Sequence, residues 1–216
     1  MSEIEKLNEL GRENMLLAEG ELAAAKQLKK VAKSQVKKAK ARKGLMDAEL
    51  DIAKVREDLA VNLKKVTKKK EKLTSDGLLE VAGEVLKNEQ KDAEYNEKIA
   101  KIQKKAAKAN EKIAKQDVAL SEESKKLANL ITQAAKARKL LGKKQLSYVN
   151  SKKNDAPEEK ITTAMNSYLE QRKKLQGIQK NIVAQKGLIR DKENQLGDMR
   201  KELSSILSEL EKIRHE

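Results

Sequence analysis

Nine cations and no anion occupy the eighteen residues from position 26 to position 43: Lys26, Lys29, Lys30, Lys33, Lys37, Lys38, Lys40, Arg42 and Lys43. Ammonium and guanidinium groups at this density repel one another. The repulsion is relieved when a polyanion lies beside them and its counterions are released. A second group, Lys64, Lys65, Lys68, Lys69, Lys70 and Lys72, surrounds only Glu71, and a third gathers Lys104, Lys105, Lys108, Lys112 and Lys115. The chemistry these residues offer is contact with phosphate or another densely charged acid.

The composition narrows the kind of polyanion. Of 49 basic side chains, 41 are Lys, whereas reading of DNA sequence draws on Arg, Asn or Gln presented by a compact motif, and no such motif occurs. Single-strand binding uses aromatic platforms, and the chain has no Phe, no Trp and three Tyr. Sequence-blind contact with duplex or polyphosphate remains, as does an anionic membrane surface, which attracts Lys at about 1 kcal/mol per cation. The apolar rows described below are expected to be committed to helix packing. Membrane contact is therefore expected to be peripheral and salt-sensitive, without an inserted wedge.

Other chemistry has little to stand on. The one imidazole is His215, beside the last residue, and there is no Cys to act as nucleophile, thiolate ligand or disulfide partner. Carboxylate pairs such as Glu122/Glu123 and Glu158/Glu159 read as solvated helix surface, and Gly142-Lys143-Lys144 lacks the loop and hydroxyl of a phosphate-binding loop. No catalytic residues, metal, cofactor or small-molecule substrate are expected. No apolar stretch approaches the ~20 residues of a membrane span, and the N-terminus does not read as a signal peptide, so a cytoplasmic or virion-interior location is expected.

The elements that must carry these lysines are written in period seven. One row runs Leu10, Leu17, Ala24, Val31, Lys38, Leu45, Ile52, Leu59, Val66 and Leu73; a second runs Leu78, Val85, Asp92, Ile99, Ala106, Ile113, Leu120, Leu127, Ala134, Leu141 and Tyr148. A third, Ile161, Tyr168, Leu175, Ile182, Ile189, Leu196, Leu203 and Leu210, is unbroken. A seven-residue apolar repeat stays facing a partner only where helices supercoil around each other. Of these rows, Leu45, Ile52, Leu59, Val66, Leu73, Ile99, Ile113, Leu120, Leu127, Leu175, Ile182, Ile189, Leu196, Leu203 and Leu210 are expected to form the core or oligomerisation seam.

The rows break at two places. Thr74-Ser75-Asp76-Gly77 reads as a turn, with a stutter in one continuous helix as the alternative. Residues 150–157 hold the only Pro, and Asp155 with Glu158 resembles a capping box opening a third helix, as Ser2 with Glu5 opens the first. The expected fold is all-α: one elongated domain, 1–216, an antiparallel three-helix coiled coil with helices over about 2–74, 76–150 and 156–215. At 1.5 Å per residue these span about 110, 110 and 90 Å, giving a rod-like hairpin plus a shorter third helix. With a turn near residue 76, the first lysine cluster would lie across from about 109–126, close to the third cluster. Alanines at 23, 24, 25, 32, 39 and 41, and at 106, 107, 109 and 114, mark either close helix approach or good helix formers.

Three long helices in a basic chain of this length resemble the membrane-curving BAR domains, and a basic helical hairpin resembles ESCRT-III-type proteins, in shape and charge. That likeness implies contact with an anionic membrane. The functional expectation is a non-enzymatic structural or assembly protein that forms homo-oligomers and docks its lysine-rich hairpin on an anionic membrane. The alternatives are a sequence-independent nucleic-acid packaging protein and a coiled-coil adaptor that binds other coiled-coil proteins.

Overall fold

The computed structural model describes residues 2–74 and 80–215, and side chains at 71, 73, 74 and 80–83 lie outside that description. The segment that reads as a turn or a stutter falls largely in 75–79, also outside the described residues, as does the Leu73 side chain. The described residues form three helices: α1 (Glu3–Thr74), α2 (Glu80–Lys153) and α3 (Glu158–His215). No strand occurs among the described residues, so the protein is all-α.

The helix ends follow from local chemistry. The Ser2 amide donates to Glu5 Oε2 at 2.7 Å and the Glu5 amide to Ser2 Oγ at 3.2 Å, the reciprocal box expected at the start of α1. The α2–α3 junction differs from its sequence reading. Asp155 sits at φ 45°, in the left-handed region. The Ala156 amide reaches back to Ser151 O at 3.0 Å and the Asp155 amide to Lys152 O at 3.4 Å. That pair of bonds closes the end of a helix, so Asp155 terminates α2 instead of capping α3. Pro157 begins α3: its carbonyl accepts the Lys160 and Ile161 amides, and its missing N–H costs nothing at a first-turn position.

Two compact units are built from these helices. Unit 1 comprises residues 1–37 and 119–192, and unit 2 residues 38–118 and 193–216. Within each, α1 and α2 run antiparallel, as contacts such as Glu19–Lys139 and Asn14–Gln145 in unit 1, and Arg42–Asp117 and Lys64–Glu97 in unit 2, require.

The row that packs α1 on α2 is not the one of large residues. In unit 1, Gly11, Ala18, Ala25 and Ala32 are buried at spacing seven, each one residue after a member of the expected seam. Gly11 lies against Gly142 of α2, whose spacing-seven neighbours Ala128, Ala135 and Val149 are also buried. Unit 2 repeats the arrangement with Ala39, Ala53 and Ala60 against Ala93, Ala100, Ala107 and Ala114. Close helix approach therefore accounts for Ala25, Ala32, Ala39, Ala107 and Ala114, whereas Ala23, Ala24 and Ala41 are exposed.

The α2–α3 contact in unit 1 does use the expected rows. Leu141 and Leu175 are buried together with Ala137, and Ala134, Tyr168 and Ile178 pack against them. Tyr148 and Tyr168 stack with centroids 6.4 Å apart. Three buried glutamines are satisfied across helices. Gln145 donates to Leu7 O and accepts from Asn14, Gln171 donates to Ala137 O, and Gln185 donates to Glu123. Each fixes register, because sliding the helices would strand a buried amide. In unit 2, Leu196 and Leu210 of α3 are buried, and Leu203 is half-buried.

The expected α1 seam is left uncovered within the chain. Leu45, Ile52, Leu59 and Val66 are between 51% and 65% exposed, and Val55 and Leu63 beside them are exposed as well. With an alanine-width contact to α2 at one side of the helix, the adjacent row of large side chains stands at the edge of that interface instead of inside it.

The glycines separate packing from propensity. A Cβ on Gly142 would meet Gly11 O at 2.6 Å and Met15 Cγ at 2.8 Å, while one on Gly20 or Gly177 would meet nothing within 4 Å. Gly142→Ala should destabilise the fold by about 1–3 kcal/mol despite its better helix propensity, through overpacking. Gly20→Ala and Gly177→Ala should each stabilise by about 0.5–1 kcal/mol. Denaturant midpoints of the three variants check this.

Candidate polyanion-binding face

Whether a lysine can serve an outside partner depends on what it already touches. In the first cluster Lys26, Lys29, Lys30, Lys33, Lys37 and Lys38 are exposed and make no ion pair among the described residues. The cluster changes character at its C-terminal end. Arg42 lies 3.3 Å from Asp117, and Lys43 lies 2.5 Å from Asp47.

Heptad position places the unpaired residues of unit 1. Lys26 and Lys33 stand one and two heptads on from Glu19, whose carboxylate meets Lys139 of α2 at 3.0 Å. Lys30 and Lys37 follow at the intervening four-residue steps, so the set lies along one flank of α1. Lys26, Lys29, Lys30 and Lys33 line a surface depression there together with Glu19, Leu22, Ala23 and Gln27. Exposed Lys136 and Lys143 of α2 fall one heptad apart on the flank that carries Lys139. Unit 1 holds 24 basic and 13 acidic side chains, net +11, leaving net +4 for unit 2.

The second cluster has a different setting. Lys64 meets Glu97 at 2.8 Å and Glu94 at 3.7 Å, and Lys70 meets Glu89 at 3.6 Å. Lys65, Lys68 and Lys69 are exposed. Over the described segments 57–70 and 84–99, eight basic side chains face seven acidic ones. This end of unit 2 is close to neutral, so its lysines neutralise α2 carboxylates.

The third cluster lies elsewhere than expected. Lys104 pairs with Glu57, and the α1–α2 ion pairs of unit 2 set a register about one heptad away from that of a turn at residue 76. Lys104, Lys105 and Lys108 therefore sit beside the Glu57 region of α1, not beside residues 38–43. Lys105 and Lys108 remain exposed.

One carboxylate is strongly perturbed. Glu97 accepts from Lys101 at 2.6 Å and from Lys64, and these bonds, Lys101 first, hold its pKa at about 2. The Lys64 ammonium is held above its ordinary value, Glu97 being the larger cause and burial opposing it. Glu123 is lowered too, by the Gln185 amide first and Lys126 second. Paired carboxylates of this sort are structural. Among the described residues no group of His, Cys, Asp and Glu could hold a metal ion, and no helix is long and apolar enough to cross a membrane.

Sequence reading missed the carboxylates that neutralise Lys64, Lys70 and Lys104, since their identity depends on register. It also missed the small-residue rows, whose only signal is Gly or Ala at each seventh position beside the large row. Comparison with protein-family models, curated proteins and solved structures gave no match.

Because Glu97 has a lower pKa folded than unfolded, its contribution to stability is complete above the unfolded value near 4.5 and is lost as pH falls toward about 2. A side-chain carboxyl titration followed by NMR should place the Glu97 midpoint near 2, and Lys101→Met should move it up toward the ordinary range.

Proposed function

We propose that this chain is a non-enzymatic helical assembly protein that docks on an anionic membrane surface through the lysine flank of α1 in unit 1. The observation that carries the proposal is the run Lys26, Lys29, Lys30, Lys33 and Lys37, exposed along one helix flank with no carboxylate partner among the described residues. Some cations elsewhere in the chain have found partners, such as Arg42, Lys64 and Lys104, and exposed ones such as Lys65, Lys69 and Lys105 do not form so long a run free of acidic residues. A helix that keeps five ammonium groups unneutralised over twelve residues is built for an external counter-charge.

A membrane is favoured over nucleic acid on two grounds. No aromatic side chain accompanies the flank, and its cations are all Lys, a point charge suited to headgroup phosphates and poor at bidentate base reading. The second ground corrects an expectation. The apolar row on α1 is not committed to packing within the chain, and Leu16, on the same flank as Lys30 and Lys37, is 76% exposed. Shallow apolar contact is thus available beside the cations. The reading also accords with the sequence's likeness in charge and number of long helices to BAR and ESCRT-III-type proteins.

Co-sedimentation with vesicles tests it. The chain should bind vesicles containing acidic lipid and not zwitterionic ones, with affinity falling as salt rises. Replacing Lys26, Lys30, Lys33 and Lys37 with Gln should weaken binding by about a hundredfold or more at low salt, on about 1 kcal/mol per cation. Replacing Lys173, Lys174, Lys180 and Lys186 of α3, which lowers net charge equally, should change it far less. Equal loss from both sets would refute the assignment of this flank. Tighter binding to duplex DNA than to acidic vesicles at matched ionic strength would favour the packaging reading.

A further inference from the structure

Unit 1 carries a groove between the end of α2 and the start of α3. Lys144, Ser147 and Ser151 line it from α2, and Lys160, Thr163 and Ser167 from α3, around a space of about 500 Å³. That volume lies in the range of small-molecule sites. Each helix contributes the same order of groups: a lysine, a hydroxyl three residues on, and another hydroxyl four residues later. Such steps return to one helix face. The Leu141–Leu175 and Tyr148–Tyr168 contacts require α2 and α3 to run antiparallel, so the two series oppose each other. Lys144 stands toward the Ser167 end and Lys160 toward the Ser151 end, with hydroxyls between them.

Lys144 is the exception among the half-buried lysines. Lys43, Lys64, Lys104, Lys125 and Lys139 pair with Asp47, Glu97, Glu57, Glu122 and Glu19, and Lys192 acts on Glu123. Lys144 has no ion pair among the described residues, and neither does the exposed Lys160. The hydroxyls are unspent as well. Ser124 and Thr132 donate to carbonyls one turn back, whereas Ser147, Ser151 and Ser167 make no side-chain hydrogen bond among the described residues. Thr163 donates to Glu159 O at 2.8 Å and keeps its lone pairs. An ammonium drawn partly out of water without a carboxylate lacks its counter-charge, and the neighbouring hydroxyls supply donors but no anion. Phosphate oxygens accept from both kinds of group.

We propose that this groove binds a small molecule carrying two phosphate groups, one held at Lys144 and the other at Lys160. The seven residues from Lys144 to Ser151 set the phosphates about 10 Å apart along the helix axis. Ser147, Ser151 and Ser167 donate to the oxygens between the two ammonium groups. Glu159, also on the groove wall, opposes the ligand and limits its affinity. A soluble bisphosphate and the headgroup of a bisphosphorylated lipid present the same chemistry to these residues. The site uses none of the α1 flank lysines, so it stands or falls apart from membrane docking by that flank.

Isothermal titration calorimetry of the full chain with hexanediol bisphosphate tests the proposal. One molecule should bind per chain, about tenfold more tightly than hexyl phosphate, which offers a single phosphate. Lys144→Gln with Lys160→Gln should weaken binding by about tenfold or more. Ser147→Ala with Ser151→Ala should weaken it by about threefold to tenfold without lowering helicity, since Ala is the better helix former. Glu159→Gln should tighten it, and Lys29→Gln with Lys30→Gln on the α1 flank should leave it unchanged. Displacement of the probe by vesicles containing phosphatidylinositol bisphosphate assigns the groove to a lipid headgroup, and retention of the probe assigns it to a soluble compound. Absence of binding at ~10 mM probe overturns the proposal. So does equal weakening by the Lys144/Lys160 and Lys29/Lys30 pairs, which is attraction to net charge alone.

Discussion

Close approach of α1 and α2 along rows of alanine and glycine is the constraint on which the other features depend. An alanine methyl buries little apolar area, about 0.8 kcal/mol worth per group, so each contact is weak by the standard of a leucine seam. What small residues add is proximity. Backbones draw together until Gly142 has no room for a methyl beside Gly11, and dispersion between main chains replaces part of what large side chains would supply. The row is unbroken in one unit, Gly11, Ala18, Ala25 and Ala32, and in the other Ala39, Ala53 and Ala60 share it with the half-buried Met46.

Two consequences follow from a narrow contact. Large side chains that would fill the interface of an ordinary coiled coil are displaced to its edge, so Leu45, Ile52, Leu59 and Val66 stay exposed while Ile113 and Leu141 of α2 and Leu175, Leu196 and Leu210 of α3 are buried. Charged side chains also sit near enough to reach across, and Arg42–Asp117, Glu57–Lys104 and Lys64–Glu97 pair at the flanks. Exposed pairs of this kind contribute modestly to stability, about 0–1 kcal/mol each, but like charges brought together would be penalised, so they help to select a register. Cations without such a partner are left facing outward, and they concentrate in unit 1.

Part of this was legible beforehand in Leu175, whose row needs a partner at spacing seven and packs on Ala137 and Leu141 of α2. Ser2 and Glu5 also behave as their spacing implies. The α1 seam was harder because two rows of the same period run side by side, and periodicity does not say which one faces the neighbour. Leu59 looks like core by hydrophobicity, and Ala60 looks like ordinary helix propensity. Register was hidden for a related reason. Sliding α1 past α2 by one heptad returns every apolar row to the same phase, so the pattern cannot distinguish a turn at residue 76 from the pairing that joins Glu57 to Lys104. Asp155 was misassigned because the same residue types close one helix and open the next, and only its left-handed backbone tells them apart.

The natural absence of Cys makes the central contact directly measurable by engineered disulfides. Ala53 and Ala107 are buried in one cluster on facing helices, whereas Val55, two residues on, points to solvent. A bridge forms readily only when Cβ atoms come within about 4.5 Å. If alanine rows hold α1 against α2, Ala53→Cys with Ala107→Cys should oxidise within one chain while helicity is retained, and Val55→Cys with Ala107→Cys should not. Efficient oxidation of the Val55 pair with none of the Ala53 pair would mean that the large-residue side of α1 faces α2, contradicting the account.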